Sequence, residues 1–194
     1  MPGVSALGEE KMTKLYLRAG HGGSSVGAAG NDLLEKQETL KQILAVADLL
    51  SHYDVEIKLA RSTDADVALS SSINEANNWG ADLYYSSHIN GFSDSSARGY
   101  ESYVYTSPSA ESVRVQSTMH AKQASVWVEW GSLDRGKKQA NFAELRETAM
   151  AAVLVENGFI TNADDAQLLK NASFINALTK ATVEGFRALY SLQK

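Results

Sequence analysis

With 194 residues, of which 44% are hydrophobic and 21% charged, the chain has the size and composition of one soluble globular domain rather than of a disordered or membrane-inserted protein. Its net charge of −5 leaves no basic stripe that could neutralise phosphates, which argues against a nucleic-acid partner. The absence of cysteine excludes disulfides and thiolate metal sites, so any metal must be bound by His, Asp or Glu.

Residues 1–13 are polar and show no periodic pattern, and we interpret them as a loose N-terminal leader before one folded domain of residues 14–194. The leader lacks the apolar core of a secretory signal peptide. We therefore expect the chain to be made in the cytoplasm without a signal peptide and not to insert into a membrane. If it acts outside the cell, another agent must release it.

A strand, a helix and a second strand open the folded part of the chain. Lys14–Ala19 alternates like a strand and is followed by Gly20–Asn31, a loop that contains five glycines. The segment from about Leu34 to Ser51 repeats apolar residues at helical spacing, and Asp54–Ala60 alternates like a strand. This order is a βαβ unit, which predicts a parallel sheet covered by helices.

The same plan continues through the rest of the chain. A polar helix is expected at Asp66–Trp79, followed by strands at Asp82–Ser87 and Gly99–Thr106. A helix whose ends cannot be read is expected between Ser109 and Trp130. The remaining expected elements are a short strand within Lys138–Arg146, a buried strand at Ala151–Val155, a short helix near Asp164–Lys170 and a final helix at about Ser173–Ser191.

Polar side chains stand at the boundaries of four predicted elements. His21 follows the first strand in a glycine-rich turn, His88 follows the third strand, and Glu156 follows the last, apolar strand. Glu35 lies in the first turn of the first helix. Because ligands of open α/β sheets gather at the carboxyl ends of the strands, we expect all four side chains at one rim of the sheet.

The joint placement of these residues favours a metal centre. Two histidines and a carboxylate are a common ligand set for catalytic zinc, and a further carboxylate supplies the base that such a zinc needs. Glu156 follows an apolar strand, where burial raises its pKa and suits a general base. Taken singly the signals are weak, because a lone histidine in a glycine loop is more often a surface residue and Glu35 also fits a glutamate that interacts with the helix dipole.

Three other sequence motifs are absent. The turn at Gly20–Ser25 lacks the third glycine of a dinucleotide-binding fingerprint, and no Gly-Lys-Ser/Thr follows for a phosphate loop. The His-Glu-x-x-His of a helix-borne zinc peptidase does not occur either. We interpret the other histidines, His52 and His120, as solvated.

Six sequence blocks, taken in order, point to a known family. They are GHGG at Gly20–Gly23, LLEKQ at Leu33–Gln37, ADLYYSSHIN at Ala81–Asn90, SARGYESY at Ser96–Tyr103, DRGKKQANFAELRET at Asp134–Thr148 and AVLVENGFITN at Ala152–Asn162. Over about Lys14–Leu192 the chain resembles the zinc-dependent N-acetylmuramoyl-L-alanine amidases of bacterial autolysins and phage endolysins. The order and spacing of the blocks are far more specific than any single block.

The resemblance implies a single α/β domain with a mixed, mostly parallel six-stranded sheet flanked by helices. It implies that His21, Glu35 and His88 bind zinc and that Glu156 is the catalytic carboxylate. The implied reaction hydrolyses the amide between the lactyl group of N-acetylmuramic acid and L-alanine of the peptidoglycan stem peptide, with Glu156 as the base for a zinc-activated water. Residues 14–194 would then be a zinc amidase catalytic domain that acts on the cell wall after release.

Two further polar residues are candidates for substrate binding. Asn90 ends the block around His88, and Arg146 lies in the block before the last strand. Either could line the substrate groove or steady an oxyanion. A turn residue and a surface ion-pair partner are equally good interpretations of Asn90 and Arg146, respectively.

The chain departs from the family pattern at three places. Arg18-Ala19 stands where the family usually has Asp-Pro, Ala151 where it usually has proline, and Ser70–Ser72 where an arginine is usual. A cation close to His21 in place of an anion predicts weaker metal affinity. Two other functions therefore stay open: a non-catalytic or weakly active cell-wall-binding relative, and a zinc peptidase that cuts a different peptidoglycan amide.

Overall fold

The computed structural model describes residues 12–194. The predicted leader lies outside the described residues except for Met12 and Thr13, and Thr13 already begins the first strand. The strands are β1 (Thr13–Ala19), β2 (Ala29–Gly30), β3 (Leu33–Leu34), β4 (Val55–Leu59), β5 (Leu83–Asn90), β6 (Tyr100–Val104), β7 (Asp134–Gln139) and β8 (Ala151–Phe159). The helices are α1 (Glu35–Leu50), α2 (Leu69–Trp79), α3 (Ala110–Glu129), α4 (Ala143–Arg146), α5 (Ala163–Lys170) and α6 (Ala172–Tyr190).

One large sheet forms the centre of the fold. Its six strands run in the order β4-β1-β5-β8-β6-β7. Neighbouring strands are parallel except β6 and β8, which are antiparallel. The predicted mixed, mostly parallel six-stranded sheet is confirmed. Across residues 12–194, no helix has both the length and the apolar run needed to span a membrane.

The central strands are apolar runs because helices cover both faces of the sheet. Leu15, Tyr16 and Leu17 of β1 are fully buried, as is typical of parallel strands covered on both sides. One face packs against α1, α3 and α6 in a cluster that includes Phe186, and the other packs against α2 and α4 through residues such as Leu145. Burial of each leucine contributes roughly 2 kcal/mol to the free energy of unfolding. The packed core thereby fixes the positions of the strand ends.

Two strands are longer than the sequence predicts, which places three candidate residues inside the sheet. β5 continues through His88 to Asn90, and β8 continues through Glu156 to Phe159. His88 pairs with Glu156 in the ladder, and Asn90 pairs with Phe159 after a register shift. The prediction that His88 and Glu156 follow their strands is therefore wrong. The sequence prediction ends both strands at a polar residue. A residue near the edge of the sheet can, however, have a polar side chain while its backbone remains hydrogen-bonded in the ladder.

The segment between α3 and β8 also differs from the prediction. The prediction of a short strand within Lys138–Arg146 is wrong, since β7 ends at Gln139 and the chain then forms the short helix α4. β7 is an edge strand with the sequence DRGKKQ, so it shows no apolar alternation. The four residues of α4 are too few to show helical periodicity.

The prediction that His120 is solvated is wrong, because the side chain is buried. Its Nδ1 atom lies 2.8 Å from Ser102 Oγ, and its Nε2 atom lies 2.8 Å from Asp134 Oδ1. The ring therefore joins α3 to β6 and β7. His52, in contrast, is exposed as predicted.

Candidate metal centre

Three elements bring His21, Glu35 and His88 together at the carboxyl edge of the sheet. His21 follows β1 with a φ of 60°, a left-handed conformation that few non-glycine residues adopt. Glu35 is the first residue of α1. The hairpin β2–β3 leads directly into this helix and turns at Asn31 and Asp32, whose φ values are 48° and 60°. Such two-residue hairpin turns favour Asn and Asp, a signal that the prediction of a loop over Gly20–Asn31 overlooks.

The ligand atoms of these three residues lie within 4.8 Å of one another. His21 Nε2 is 3.3 Å from Glu35 Oε2, and His88 Nδ1 is 3.0 Å from Glu35 Oε1. The two imidazole rings meet edge to face with their centroids 5.2 Å apart. Two imidazole nitrogens and one carboxylate that point at the same place could hold a metal ion.

Hydrogen bonds fix the orientation of the candidate ligands. The N–H of Ala28 donates to Glu35 Oε2 over 2.7 Å, and the N–H of Ile89 donates to Oε1 over 3.0 Å. Ser25 Oγ lies 2.9 Å from His21 Nδ1. Burial raises the pKa of Glu35, but the contacts with His88 and with these two backbone amides outweigh the effect of burial and lower the pKa below its ordinary value. Glu35 is thus a fixed carboxylate anion.

Two glycines let the backbone pass directly against the candidate ligands. A Cβ at Gly27, where φ is +73°, would lie 2.5 Å from Glu35 Oε2 and 2.6 Å from His21 Cδ2. A Cβ at Gly20 would lie 2.5 Å from His88 Cε1. Any other residue at these positions would displace a ligand, so the glycines form a cradle for the three side chains.

Glu156 lies beside His88 on the neighbouring strand β8. Its Oε2 atom is buried and has no hydrogen-bond partner among residues 12–194. Burial raises the pKa of Glu156 to about 8. A buried carboxylate without a partner favours either a proton or a nearby cation, and the group His21, Glu35 and His88 is where such a cation could bind.

Two buried charged residues contact His88 from the other side. The side chains are those of Arg18 and Glu144, which are 8% and 5% exposed. Arg18 Nη1 lies 3.3 Å from His88 Nε2 and 3.6 Å from Glu144 Oε2, and Glu144 Oε1 lies 3.4 Å from His88 Nε2. The sequence places Arg18 near His21, whereas the structure shows that its direct contact is with His88. Sequence reasoning missed Glu144, because the short helix α4 gives no periodic signal.

The charges around His88 support one another. Burial raises the pKa of Glu144, but contacts with His88 and Arg18 outweigh it and lower the pKa to about 2. Burial lowers the pKa of His88, yet Glu144 and Glu35 outweigh it and raise the pKa to about 10. Burial lowers the pKa of His21. The protein therefore favours positive charge between Glu35 and Glu144, and a bound cation could take the place of the proton on His88.

An open pocket of about 510 Å³ leads to this centre. Its lining includes Arg18, Ser25 and Glu144 as well as the two candidate histidines and the segment 66–69. The pocket is broad and faces solvent, so it could admit part of a large substrate.

Neither Asn90 nor Arg146 lines this pocket. Asn90 Nδ2 donates to Glu101 Oε1 over 2.9 Å. The guanidinium of Arg146 pairs with Glu147 over 2.6 Å and is partly exposed. A role for either residue in substrate binding stays a prediction.

Glu101 is the centre of a polar cluster next to Glu156, its ladder partner across β6 and β8. The side chain is 3% exposed and accepts a hydrogen bond from Tyr103 Oη over 2.6 Å. It also pairs with Arg135 Nε over 2.7 Å and with Lys138. Burial raises the pKa of Glu101, but these partners outweigh it and lower the pKa from 4.5 to about 2.

A Glu101→Gln variant is therefore expected to lose about 2 kcal/mol of unfolding free energy at neutral pH. Because the folded pKa lies below the unfolded value, the carboxylate stabilises the wild type above pH 4.5, and this contribution is lost as the pH falls from 4.5 to about 2. Urea denaturation of both proteins at about pH 7 and about pH 3 measures the difference. A stability difference of the same size at both values would contradict the assignment.

Comparison with known proteins agrees with the fold. The profile of the N-acetylmuramoyl-L-alanine amidase family matches residues 15–188. A sporulation-specific N-acetylmuramoyl-L-alanine amidase of Bacillus subtilis (strain 168) is 43% identical over 185 residues, which cover 94% of this chain and 70% of that protein. The endolysin of Bacillus phage SPP1 is 40% identical over 187 residues, which cover 94% of this chain and 68% of that protein.

Solved structures show the same likeness. The catalytic domain of CwlV, an N-acetylmuramoyl-L-alanine amidase from Bacillus (Paenibacillus) polymyxa var. colistinus, has a TM-score of 0.87 and 30% identity, covering 94% of this chain and 100% of that one. An N-acetylmuramoyl-L-alanine amidase from Clostridium difficile 630 also has a TM-score of 0.87, with 26% identity and coverage of 94% and 98%. The resemblance predicted from the sequence is confirmed, and the chain belongs to the N-acetylmuramoyl-L-alanine amidase family.

Proposed function

We propose that this chain hydrolyses the amide between the lactyl group of N-acetylmuramic acid and L-alanine in peptidoglycan. In this proposal His21, Glu35 and His88 hold one zinc ion, and Glu156 is the general base. The observation that carries the proposal is the approach of the three candidate ligand atoms to within 4.8 Å of one another in a chain of this family.

The donor set favours zinc over other common divalent ions. Two imidazoles and one carboxylate are a usual ligand set of catalytic zinc and leave a position open, whereas calcium and magnesium prefer sites made of oxygen atoms alone. The chain has no cysteine, so a structural thiolate site is excluded. When bound, zinc supplies the Lewis acidity that polarises a carbonyl and lowers the pKa of water to about 7.

Glu156 would move the proton in this reaction. Its buried Oε2 atom has no partner among the described residues, so it is free to accept a proton from the attacking water. The water oxygen would bond to the lactyl carbonyl carbon, and transfer of the same proton to the leaving nitrogen would let the C–N bond break, which frees the amino group of L-alanine at the end of the stem peptide. A carboxylate buried beside a cation has its pKa raised by burial and lowered by the cation, which brings proton transfer into the neutral range.

The proposed place of action is the cell wall, reached after the protein is released from the cell. Its relatives include a phage endolysin and a sporulation-specific amidase, which supports this expectation. The proposed partner is the muramyl peptide of peptidoglycan.

Digestion of purified peptidoglycan tests the proposal. We expect new amino termini on L-alanine without new reducing sugar ends, complete loss of release after treatment with a zinc chelator, and recovery when zinc is added back. New reducing ends would indicate a glycosidase, and a different amino terminus would indicate a peptidase that cuts within the stem. Binding to the wall without any release, with zinc present, would favour the non-catalytic alternative.

A further inference from the structure

The buried pair Arg18 and Glu144 lies directly behind one candidate zinc ligand. We propose that Glu144 is a positioning residue, which accepts a hydrogen bond from the Nε2–H of His88 and thereby keeps the Nδ1 lone pair of His88 directed at the metal. Arg18 holds the Glu144 carboxylate in place. This inference rests on the zinc site of the proposed function and adds a role for two residues outside the ligand set.

The two nitrogens of His88 face different partners. Nδ1 lies 3.0 Å from Glu35 Oε1, on the side of the other candidate ligands. Nε2 lies 3.4 Å from Glu144 Oε1. A neutral imidazole carries its proton on one nitrogen only, so Nδ1 can bind a metal only if Nε2 carries the proton. Glu144 is the carboxylate that can accept this proton in a hydrogen bond.

Arg18 alone would favour the opposite tautomer. Its Nη1 atom lies 3.3 Å from His88 Nε2, and a guanidinium can only donate. If Glu144 were removed, Arg18 would donate to a lone pair on Nε2 and leave the ring proton on Nδ1, where a metal must bind. Glu144 therefore favours the Nε2–H tautomer of His88 over the Nδ1–H tautomer that Arg18 alone would favour.

Glu144 lies next to an apolar part of the core. Its neighbour on α4, Leu145, packs in an apolar cluster with Tyr16 and Tyr84. Glu144 Oε2 has no hydrogen-bond partner among the described residues, and Arg18 Nη1 is the cation near it, at 3.6 Å. A buried pair such as Arg18 and Glu144 can often be replaced as a whole by apolar side chains without loss of stability, so its presence beside His88 favours a role for the carboxylate itself.

Zinc affinity of the full chain, measured by competition with a chromophoric chelator, tests this role. We expect Glu144→Gln to bind zinc about 10- to 100-fold more weakly than the wild type, the range typical for loss of the partner of a metal-bound histidine. The matched control is Glu147→Gln, which removes an exposed carboxylate at the end of the same helix and should leave zinc affinity unchanged. Equal affinities of Glu144→Gln and the wild type would overturn the inference.

A double variant separates positioning from simple charge balance. Arg18→Met combined with Glu144→Leu removes both charges of the buried pair, so that neither is left without the other. If Glu144 serves only to neutralise Arg18, this double variant should bind zinc as the wild type does, and the inference is wrong. If Glu144 positions His88, the double variant should bind about tenfold more weakly than Arg18→Met, which keeps the carboxylate.

Isotope-edited NMR of the zinc-loaded protein reports the tautomer directly. We expect the His88 ring proton on Nε2, with a chemical shift that moves in Glu144→Gln and not in Glu147→Gln. A proton on Nδ1 in the wild type would overturn the inference. If the wild type binds no zinc, the proposed function fails as well, whereas a zinc-binding wild type matched by its Glu144 variants refutes only the positioning role.

Discussion

Replacing Glu156 with glutamine is expected to lower the rate of amide hydrolysis about 100- to 10,000-fold, the usual contribution of a general base. Glutamine has nearly the same shape as glutamate and fits the same site, where the Oε2 atom is buried, but its amide cannot accept a proton. Bound zinc should remain at one ion per chain, because Glu156 is not among the candidate ligands. The measurements are the rate of release from purified peptidoglycan and the metal content of the same sample.

The control for this experiment is Glu147→Gln, since Glu147 forms an exposed ion pair away from the pocket. It should hydrolyse peptidoglycan at the wild-type rate. A Glu156→Gln variant that kept the wild-type rate would exclude Glu156 as the base. If wild type and variant were equally inactive with zinc and wall bound, the chain would be a wall-binding module.

Replacing His88 with alanine is expected to weaken zinc binding by more than about 100-fold, beyond the effect of removing a residue that only supports a ligand. The reason is that His88 is one of the three residues whose candidate ligand atoms lie together, and two remaining ligands hold a divalent ion poorly. Hydrolysis should fall with the metal. His21→Ala should behave in the same way. Metal analysis after gel filtration of zinc-treated protein measures both variants.

His52→Ala is the matched control for the histidine variants. His52 is exposed, and it is not one of the residues that line the pocket at the candidate centre. We expect this variant to keep one zinc ion per chain. Zinc retained in His88→Ala, or lost equally in His52→Ala, would show that the metal binds elsewhere.

Local patterns are enough to predict much of this fold. The helices α1 and α6 are found within one residue at each end, because their apolar residues repeat at helical spacing over many turns. The central strand β1 is recognisable from its alternation, and β8 from its continuous apolar run. The parallel order that these elements imply places polar residues from distant strands at one rim, and the structure does bring His21, Glu35 and His88 together there.

The remaining features depend on contacts between distant parts of the chain. Glu144 and Arg18 are more than a hundred residues apart in sequence yet form a buried pair, and no local pattern predicts such a contact. The burial of His120 likewise depends on Ser102 and Asp134, which come from two other elements. The edge strand β7 has exposed, charged side chains, so only its hydrogen-bonded neighbour identifies it as a strand.

The structure changes the interpretation of Arg18, which stands where the family usually has aspartate. From the sequence alone, a cation in place of the usual aspartate predicts weaker metal binding. In the structure the guanidinium is paired with the buried Glu144 carboxylate, which compensates its charge beside His88. The proposed zinc site therefore does not require an anion at position 18, because a carboxylate from α4 lies at the same histidine.

Diffraction from crystals of the zinc-loaded protein, recorded on both sides of the zinc absorption edge, tests the metal centre most directly. We predict one anomalous peak at the carboxyl edge of the sheet, in contact with His21 Nε2, the Glu35 carboxylate and His88 Nδ1, with Glu156 next to it. A peak at another place on the molecule, or no peak between these three side chains in crystals grown with excess zinc, would contradict the account.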